Sequence, residues 1–165
     1  MSDWVLDLDD FKRHLNYTRP TAGDDDELRL VASLGVAKVE ELCGHILAAT
    51  VVEVVRGSGY ALPLDFRAES LTAINGGPVA DYRADGQVLS RENSRWISGP
   101  VEVTYTAGWP VAPGWAVFAA RLIAAQIWKT QLRPNPNNPI PAGFLVPRMA
   151  TELMTDHLLA PGGFA

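Results

Sequence analysis

Apolar residues recur at two different periods along this chain, and the period changes twice. Leu8, Phe11 and Leu15 recur at spacings of three and four, which predicts a short helix over about 8–16, capped by Asp7 or Asp9. The stretch 17–23, YTRPTAG, is punctuated by Pro20 and Gly23 and reads as a loop. A second helix opens at Asp24-Asp25-Asp26-Glu27, where free N–H groups and the helix dipole favour negative charge. Leu28, Val31, Ala32, Gly35, Val39 and Leu42 form one apolar face of it. Leu30, Leu34 and Ala37 add a second flank, leaving Glu27, Lys38, Glu40 and Glu41 for water. A helix apolar on more than one side must be covered on more than one side, and a second chain is one such cover.

From about residue 50 the period becomes two. TVVEVVRG, YALPLDF and SLTAINGG read as strands separated by turns at Gly57-Ser58-Gly59 and Gly76-Gly77. Residues 81–108 read as a meander, with a hairpin turn at Asp85-Gly86 and a break at Ser98-Gly99-Pro100. The last strand, VEVTYTAGWP, alternates Val101, Val103 and Tyr105 with polar residues and stops at Gly108-Trp109-Pro110. The helical period then returns over 111–131, with Pro113 in the first turn and Trp115, Phe118, Leu122 and Ala125 on one face. Residues 133–143, RPNPNNPIPAG, hold four prolines and three asparagines and forbid regular structure. A final helix is expected from Pro147 to about Leu159, followed by a loose tail.

The expected architecture is a single α+β domain, mainly helical. It comprises a helix pair (1–45), a small antiparallel β-meander inserted at 50–107, a long third helix (111–131), the Pro/Asn loop (133–143) and a C-terminal helix and tail (144–165).

Composition narrows the class. The 165 residues suffice for one domain with a real core. A net charge of −5 argues against a free-standing nucleic-acid binder, whose footprint is a basic patch. It leaves room for a protein that surrounds DNA without gripping it. One cysteine, Cys43, permits no intrachain disulfide. The acidic start MSDWVLDLDD lacks the pattern of a secretory signal, and the most apolar stretch, 115–128, is shorter than the roughly 20 residues a membrane span needs. The expected location is a cytoplasm, or a particle assembled there.

The candidate chemistry is sparse. Gly57-Ser58-Gly59 lies between two strand-like runs, not on the strand-to-helix elbow that exposes a nucleophilic serine, and reads as a tight turn. Cys43 and His45 lack the third and fourth ligands of a metal site, and His14 and His157 are distant in sequence. The Asp24–Glu27 run lacks the alternating oxygen ligands and turning glycine of a calcium loop. No phosphate loop follows Gly108, and Pro110 lacks the N–H a phosphate would use. Trp109 and Trp115 offer a ligand platform, but packing is the commoner role of such aromatics. No catalytic, cofactor or metal residue is expected. VEVTYTAGWP is then a corner: the strand closes the inserted sheet, Gly108 permits the bend and Trp109 packs the junction.

Three stretches, in this order, carry a resemblance: LDLDDFKRHLNYTRPTAGDDDELRLVASLGVAKVEELCG, then SRWISGPVEVTYTAGW with a following proline, then FLVPRMATELMTDHLLAPGG. Together they resemble the head–tail connector (adaptor, or head-completion) proteins of long-tailed bacteriophages and prophages, across nearly the whole chain. The Pro/Asn loop at 133–143 is longer than the family's minimal pattern. The resemblance implies a virion protein of the neck, present in the host cytoplasm before assembly. It implies a homo-oligomeric, dodecameric ring beneath the portal protein that carries a stopper or tail-completion protein. The genome would pass through the lumen without specific binding, and neither cofactor nor membrane is involved. Candidate interface residues are Leu30, Leu34, Trp96, Trp109, Trp115, Phe144, Met149 and Leu153. The rival readings are another neck component (a stopper or tail terminator), a DNA-packaging accessory, and a small hydrolase using Ser58 or Cys43 with His45.

Overall fold

The computed structural model describes residues 4–17, 24–132 and 146–159. Its chain divides into two compact units. Among the described residues, the helical unit is drawn from both ends of the sequence, and the sheet unit from the middle, beginning at Gly44 and ending at Val111, with Leu159.

The helical unit begins with α1 (Leu8–His14), whose N-cap is Asp7: its side chain accepts the backbone N–H of Asp10 at 2.8 Å. Phe11 on this helix is fully buried, a contribution of roughly 1.5–3 kcal/mol. Ahead of it, Trp4 is buried and its indole N–H donates to Glu40 at 3.0 Å. The long helix α2 (Asp24–Cys43) buries Leu28, Val31, Ala32, Gly35, Val36 and Val39. Its first residue, Asp24, is buried and accepts the hydroxyl of Tyr17. Asp25 pairs with Lys12 of α1 at 2.7 Å, so the acidic opening of α2 ties the two helices together.

Helix α3 (Gly114–Ile127) continues as a π-helical turn over Trp128–Leu132. Its buried side is made chiefly of small residues: Ala116, Ala119, Ala120, Ile123, Ala124 and Ala125. Such a stripe lets α2 approach closely. A methyl group on Gly35 would collide with the carbonyl oxygen of Ala120 and press on Ala124. Of the face expected from sequence, Trp115, Phe118, Leu122 and Ala125, only Ala125 is buried; the other three form a half-exposed flank of α3. Large apolar residues mark a face by pattern, but the close helix contact selected the alanines. Helix α4 (Arg148–Met154) packs on α3 through the fully buried Ala150 and Met154, and one 3-10 turn (Thr155–His157) follows it.

The sheet unit contains β1 (Ala49–Val55), β2 (Ser58–Gly59), β3 (Ala61–Ile74), β4 (Tyr82–Arg91), β5 (Ile97–Ser98) and β6 (Val101–Ala107). The main sheet has the order β1-β6-β3-β4, all antiparallel, and β2 pairs with β5 apart from it. With 33% strand, the fold is α+β and not mainly helical, and a single chain does not show a ring. The sheet is also not a meander, because β6 enters between β1 and β3. YALPLDF and SLTAINGG are one 14-residue strand, β3. Asp85-Gly86 is no turn: Gly86, at φ +60°, lies inside β4 opposite Ala68 at a register shift. An Asp-Gly pair supplies the positive φ of a tight turn, but the same backbone also serves a bulge.

Alternation along β1 and β6 points Val55, Val101, Val103, Tyr105 and Ala107 into one core with Leu62, Leu64, Leu89 and Ile97. Glu53 alternates on that inward side of β1, opposite Val103. The first half of β3 lies across these inward side chains. The β3–β4 register shifts between Pro63 and Ala68, and the backbone groups released there find side-chain partners. Asp65 N donates to Glu53, Phe66 N donates to the Tyr105 hydroxyl at 3.2 Å, and Gln87 donates to the carbonyls of Leu64 and Asp65.

The chain enters and leaves this unit side by side. Leu47 and Trp109 form a parallel bridge, with Ala48 N donating to Trp109 O at 2.8 Å and Trp109 N to Ile46 O at 2.9 Å. Gly108, at φ +89°, makes this clasp possible.

Candidate functional site

The residues singled out from sequence fall on two kinds of surface. On α2, Leu30 is 58% exposed and Leu34 46%, and Ala37 is also exposed, at spacings of four and three. They form an apolar strip on the side of α2 away from its buried stripe. On α4, Met149 is 56% exposed and Leu153 half-buried. Trp115 is half-buried and its ring stacks on His157, centroids 4.1 Å apart and planes 9° from parallel. Phe144, the Pro/Asn loop at 133–143 and the tail after Leu159 lie outside the described residues.

In the sheet unit, Trp96 is 53% exposed and meets Tyr60, 63% exposed, edge to face at 5.0 Å. The β2–β5 ladder sets this pair, since Gly59 is opposite Ile97 and the two aromatics flank that step. Exposed Tyr and Trp carry large rigid area with a polar tip, the composition of binding hot spots. Tyr60 was not singled out from sequence. Its link to Trp96 depends on the β2–β5 register, which no local pattern reveals. Val52 and Val54, outward-facing on the edge strand β1, are likewise exposed. Trp109 is half-buried at the clasp described above.

The residues considered for chemistry do not converge. Ser58 is an exposed ladder residue opposite Ser98, not a nucleophile on an elbow. Cys43 is buried at the end of α2, and burial pushes its thiol up to about 11, away from the reactive thiolate. His45 lies against the ring of Phe66 at 4.7 Å. His14 meets Phe118 edge to face at 6.2 Å; burial lowers its pKa, and the charges of Arg121 and Lys129 lower it further. Among the described residues, no three His, Cys, Asp or Glu side chains gather to hold a metal ion. No described helix is long and apolar enough to cross a membrane.

A cleft of about 250 Å³ opens between the end of β1 and the start of β3, lined by Glu53, Val54, Val55, Arg56, Pro63 and Asp65. Burial pushes the Glu53 carboxyl up to about 7, reinforced by the Asp65 carboxylate facing it and opposed by the Asp65 N–H it accepts. Burial likewise holds the Tyr105 phenol well above its ordinary range.

No family model and no curated protein matches this chain. Solved structures share its fold. One is a chain in the neck of an empty GTA particle computed with C6 symmetry: TM-score 0.62, 19% identity, covering 96% of this chain and 93% of that one. Another belongs to the virion of a native gene transfer agent (GTA) particle: TM-score 0.59, 21% identity, covering 96% and 93%. At these identities the likeness is one of fold.

Proposed function

We propose that this chain is a structural protein of a virion neck: a non-enzymatic head–tail adaptor that joins the portal to the next neck protein or tail. The observation that carries the reading is the end-to-end fold match to a chain from the neck of a GTA particle, with more than nine-tenths of both chains covered. The order of the three sequence stretches resembling phage connectors points the same way.

In this reading, copies of the chain form a closed, dodecameric ring through heterologous contacts, each subunit offering one surface to the next and a different one to the last. The exposed strip Leu30–Leu34–Ala37 on α2 suits a subunit contact, and Met149 on α4 suits the portal side. The Tyr60–Trp96 pair suits a neighbour or the next neck protein. A net charge of −5 favours a conduit that DNA slides through, since rows of Lys and Arg would hold phosphates. The strand content invites the stopper or tail-terminator alternative, whereas the helices at the N-terminal end favour the adaptor.

Electron microscopy of the purified protein mixed with its portal tests this. A ring stacked on the portal is the expected image. Free subunits that remain monomeric are compatible with it, because partly solvated contacts alone need not offset the entropy of association. A portal left bare at saturating protein would sink the adaptor reading.

A further inference from the structure

Two stripes of accessible side chains run along the helical unit, on opposite sides of the α2–α3 contact. Helix α2 turns Gly35 toward Ala120 and Ala124 of α3. Its far side carries Asp26, Leu30, Leu34, Ala37 and Glu41, all exposed. At about 100° per residue these five fall within an arc of about 80°. The stripe is apolar in the middle and acidic at both ends. On the side of α3 away from those alanines, Trp115, Phe118, Leu122 and Lys129, the last on the π-helical turn, fall within an arc of about 60°. This second stripe is the floor of a groove. His14 of α1 meets Phe118 edge to face, and His157 stacks on Trp115.

The charges on the two stripes are opposite. Beside the α3 stripe, Arg13 and Arg121 share one carboxylate, Asp10, at 2.5 and 3.7 Å. Among the described residues, the buried Nε of Arg121 has no hydrogen-bond partner, and the exposed Lys129 makes no ion pair. The positive excess acts on His14, whose pKa is lowered first by burial and then by the charges of Arg121 and Lys129. On the α2 stripe, the described partners of the acids are neighbours on the same helix: Arg29 at 3.3 Å from Asp26, and Lys38 at 2.7 Å from Glu41. Such surface pairs contribute little, and each carboxylate keeps lone pairs for a second cation.

We infer that the two stripes are the halves of one contact between copies of this chain: the outer stripe of α2 seats in the α3 groove of the next copy, antiparallel, with Asp26 against Lys129. This rests on the ring proposed above and adds which surfaces meet and in which direction. The direction comes from the fold. Within one copy Tyr17 donates to Asp24 at the start of α2 and packs on Trp128 at the end of α3, so the two helices run antiparallel. Neighbours in a twelve-fold ring differ by a rotation of only about 30°, which carries that direction over to the next copy. Spacing agrees. Asp26 to Ala37 and Lys129 to Phe118 are each eleven residues, about 16–17 Å of helix. With Asp26 at Lys129, Leu34 falls beside Leu122, and the small Ala37 leaves room for the Phe118 ring.

Charge reversal and crosslinking test the contact, with rings on the portal counted by microscopy. Lys129→Glu and Asp26→Lys, each at an exposed site, should leave the circular dichroism spectrum unchanged. Each should lower the fraction of portals carrying a ring by about tenfold or more, because like charges then meet at every contact of the ring. Combined in one chain they should restore it, whereas Glu41→Lys combined with Lys129→Glu should not. Leu34→Cys with Leu122→Cys, oxidised on the portal, should give a ladder of covalent multimers; either substitution alone, with Cys43 in place, should not. Lys129→Glu assembling like the parent, a failed rescue or a missing ladder would each overturn this contact, while the parent's rings keep the adaptor reading. Rescue by Glu41→Lys would overturn the antiparallel docking. A parent that forms no ring on the portal would overturn both.

Discussion

Glu53 and Asp65 lie on different strands, β1 and β3, and meet through a side chain and a backbone: the Glu53 carboxylate accepts the Asp65 N–H. Sheets ordinarily satisfy backbone groups with other backbone groups. Here a register shift in β3 removed those partners and side chains from the inward faces of β1, β6 and from β4 replaced them. The Tyr105 hydroxyl acts one residue further on, at Phe66 N. Tyr105→Phe keeps the ring in the core and leaves that N–H without this acceptor, a cost of about 1–3 kcal/mol. Urea unfolding should show a lower midpoint with an unchanged slope.

Gly108 is a second point where the backbone admits little substitution. Its φ is +89°, and a Cβ there would meet the carbonyl oxygens of Leu47 and His45. Gly108→Val adds a branched side chain to a left-handed backbone and drives it into the clasp formed by Leu47 and Trp109. A loss of about 3 kcal/mol or more is expected, since strain and collision act together. Thermal unfolding by circular dichroism reads it; a variant as stable as the parent would show that the clasp yields easily.

Gly35 tests the helical unit in the same way. It sits on the buried stripe of α2, against Ala120 and Ala124 of α3. Alanine is the better helix former, so propensity alone predicts a gain of about 1 kcal/mol for Gly35→Ala. The collision with the Ala120 carbonyl should reverse that, for a net loss of about 1–3 kcal/mol. Ser33→Ala, exposed on the same helix, is the control and should change stability by less than about 0.5 kcal/mol.

The surface assignment separates from the fold in a double variant, Leu30→Asp with Leu34→Asp. Leu30 is 58% and Leu34 46% exposed, so the melting temperature should move little. Ring formation on the portal should be lost, as seen by co-sedimentation and microscopy. Assembly at the parent's level would take the α2 strip out of the subunit contact.

The portal-side assignment calls for point variants. Removing residues 144–165 would also remove Ala150 and Met154 from the helical core. Met149→Asp leaves those contacts in place, since Met149 points into water. It should weaken portal binding by tenfold or more, about 1.4 kcal/mol, while the circular dichroism spectrum stays unchanged.

Several features were legible in the chain itself because they depend on neighbours a few residues away. Asp7 caps α1, acidic residues open α2, and the strand character of Val101–Ala107 follows from its alternation. The positive φ at Gly108 is what a glycine at a strand end invites. Cys43, the single cysteine, permits no intrachain disulfide, and the structure buries it at the end of α2.

Tertiary structure decided what depends on partners far along the chain. Nothing local places β6 between β1 and β3, because strand order is set by the shared core of Tyr105, Val103, Leu62 and Leu89. Nothing local tells Asp85-Gly86 to bulge instead of turn. On α3, large apolar side chains mark one face and alanines another, and only the close approach of Gly35 on α2 selects the alanine face for burial. Glu53 in sequence is one acid in an alternating strand. Its raised pKa comes from a wall and a facing carboxylate that β3 brings across it, and from the desolvation that only packing produces.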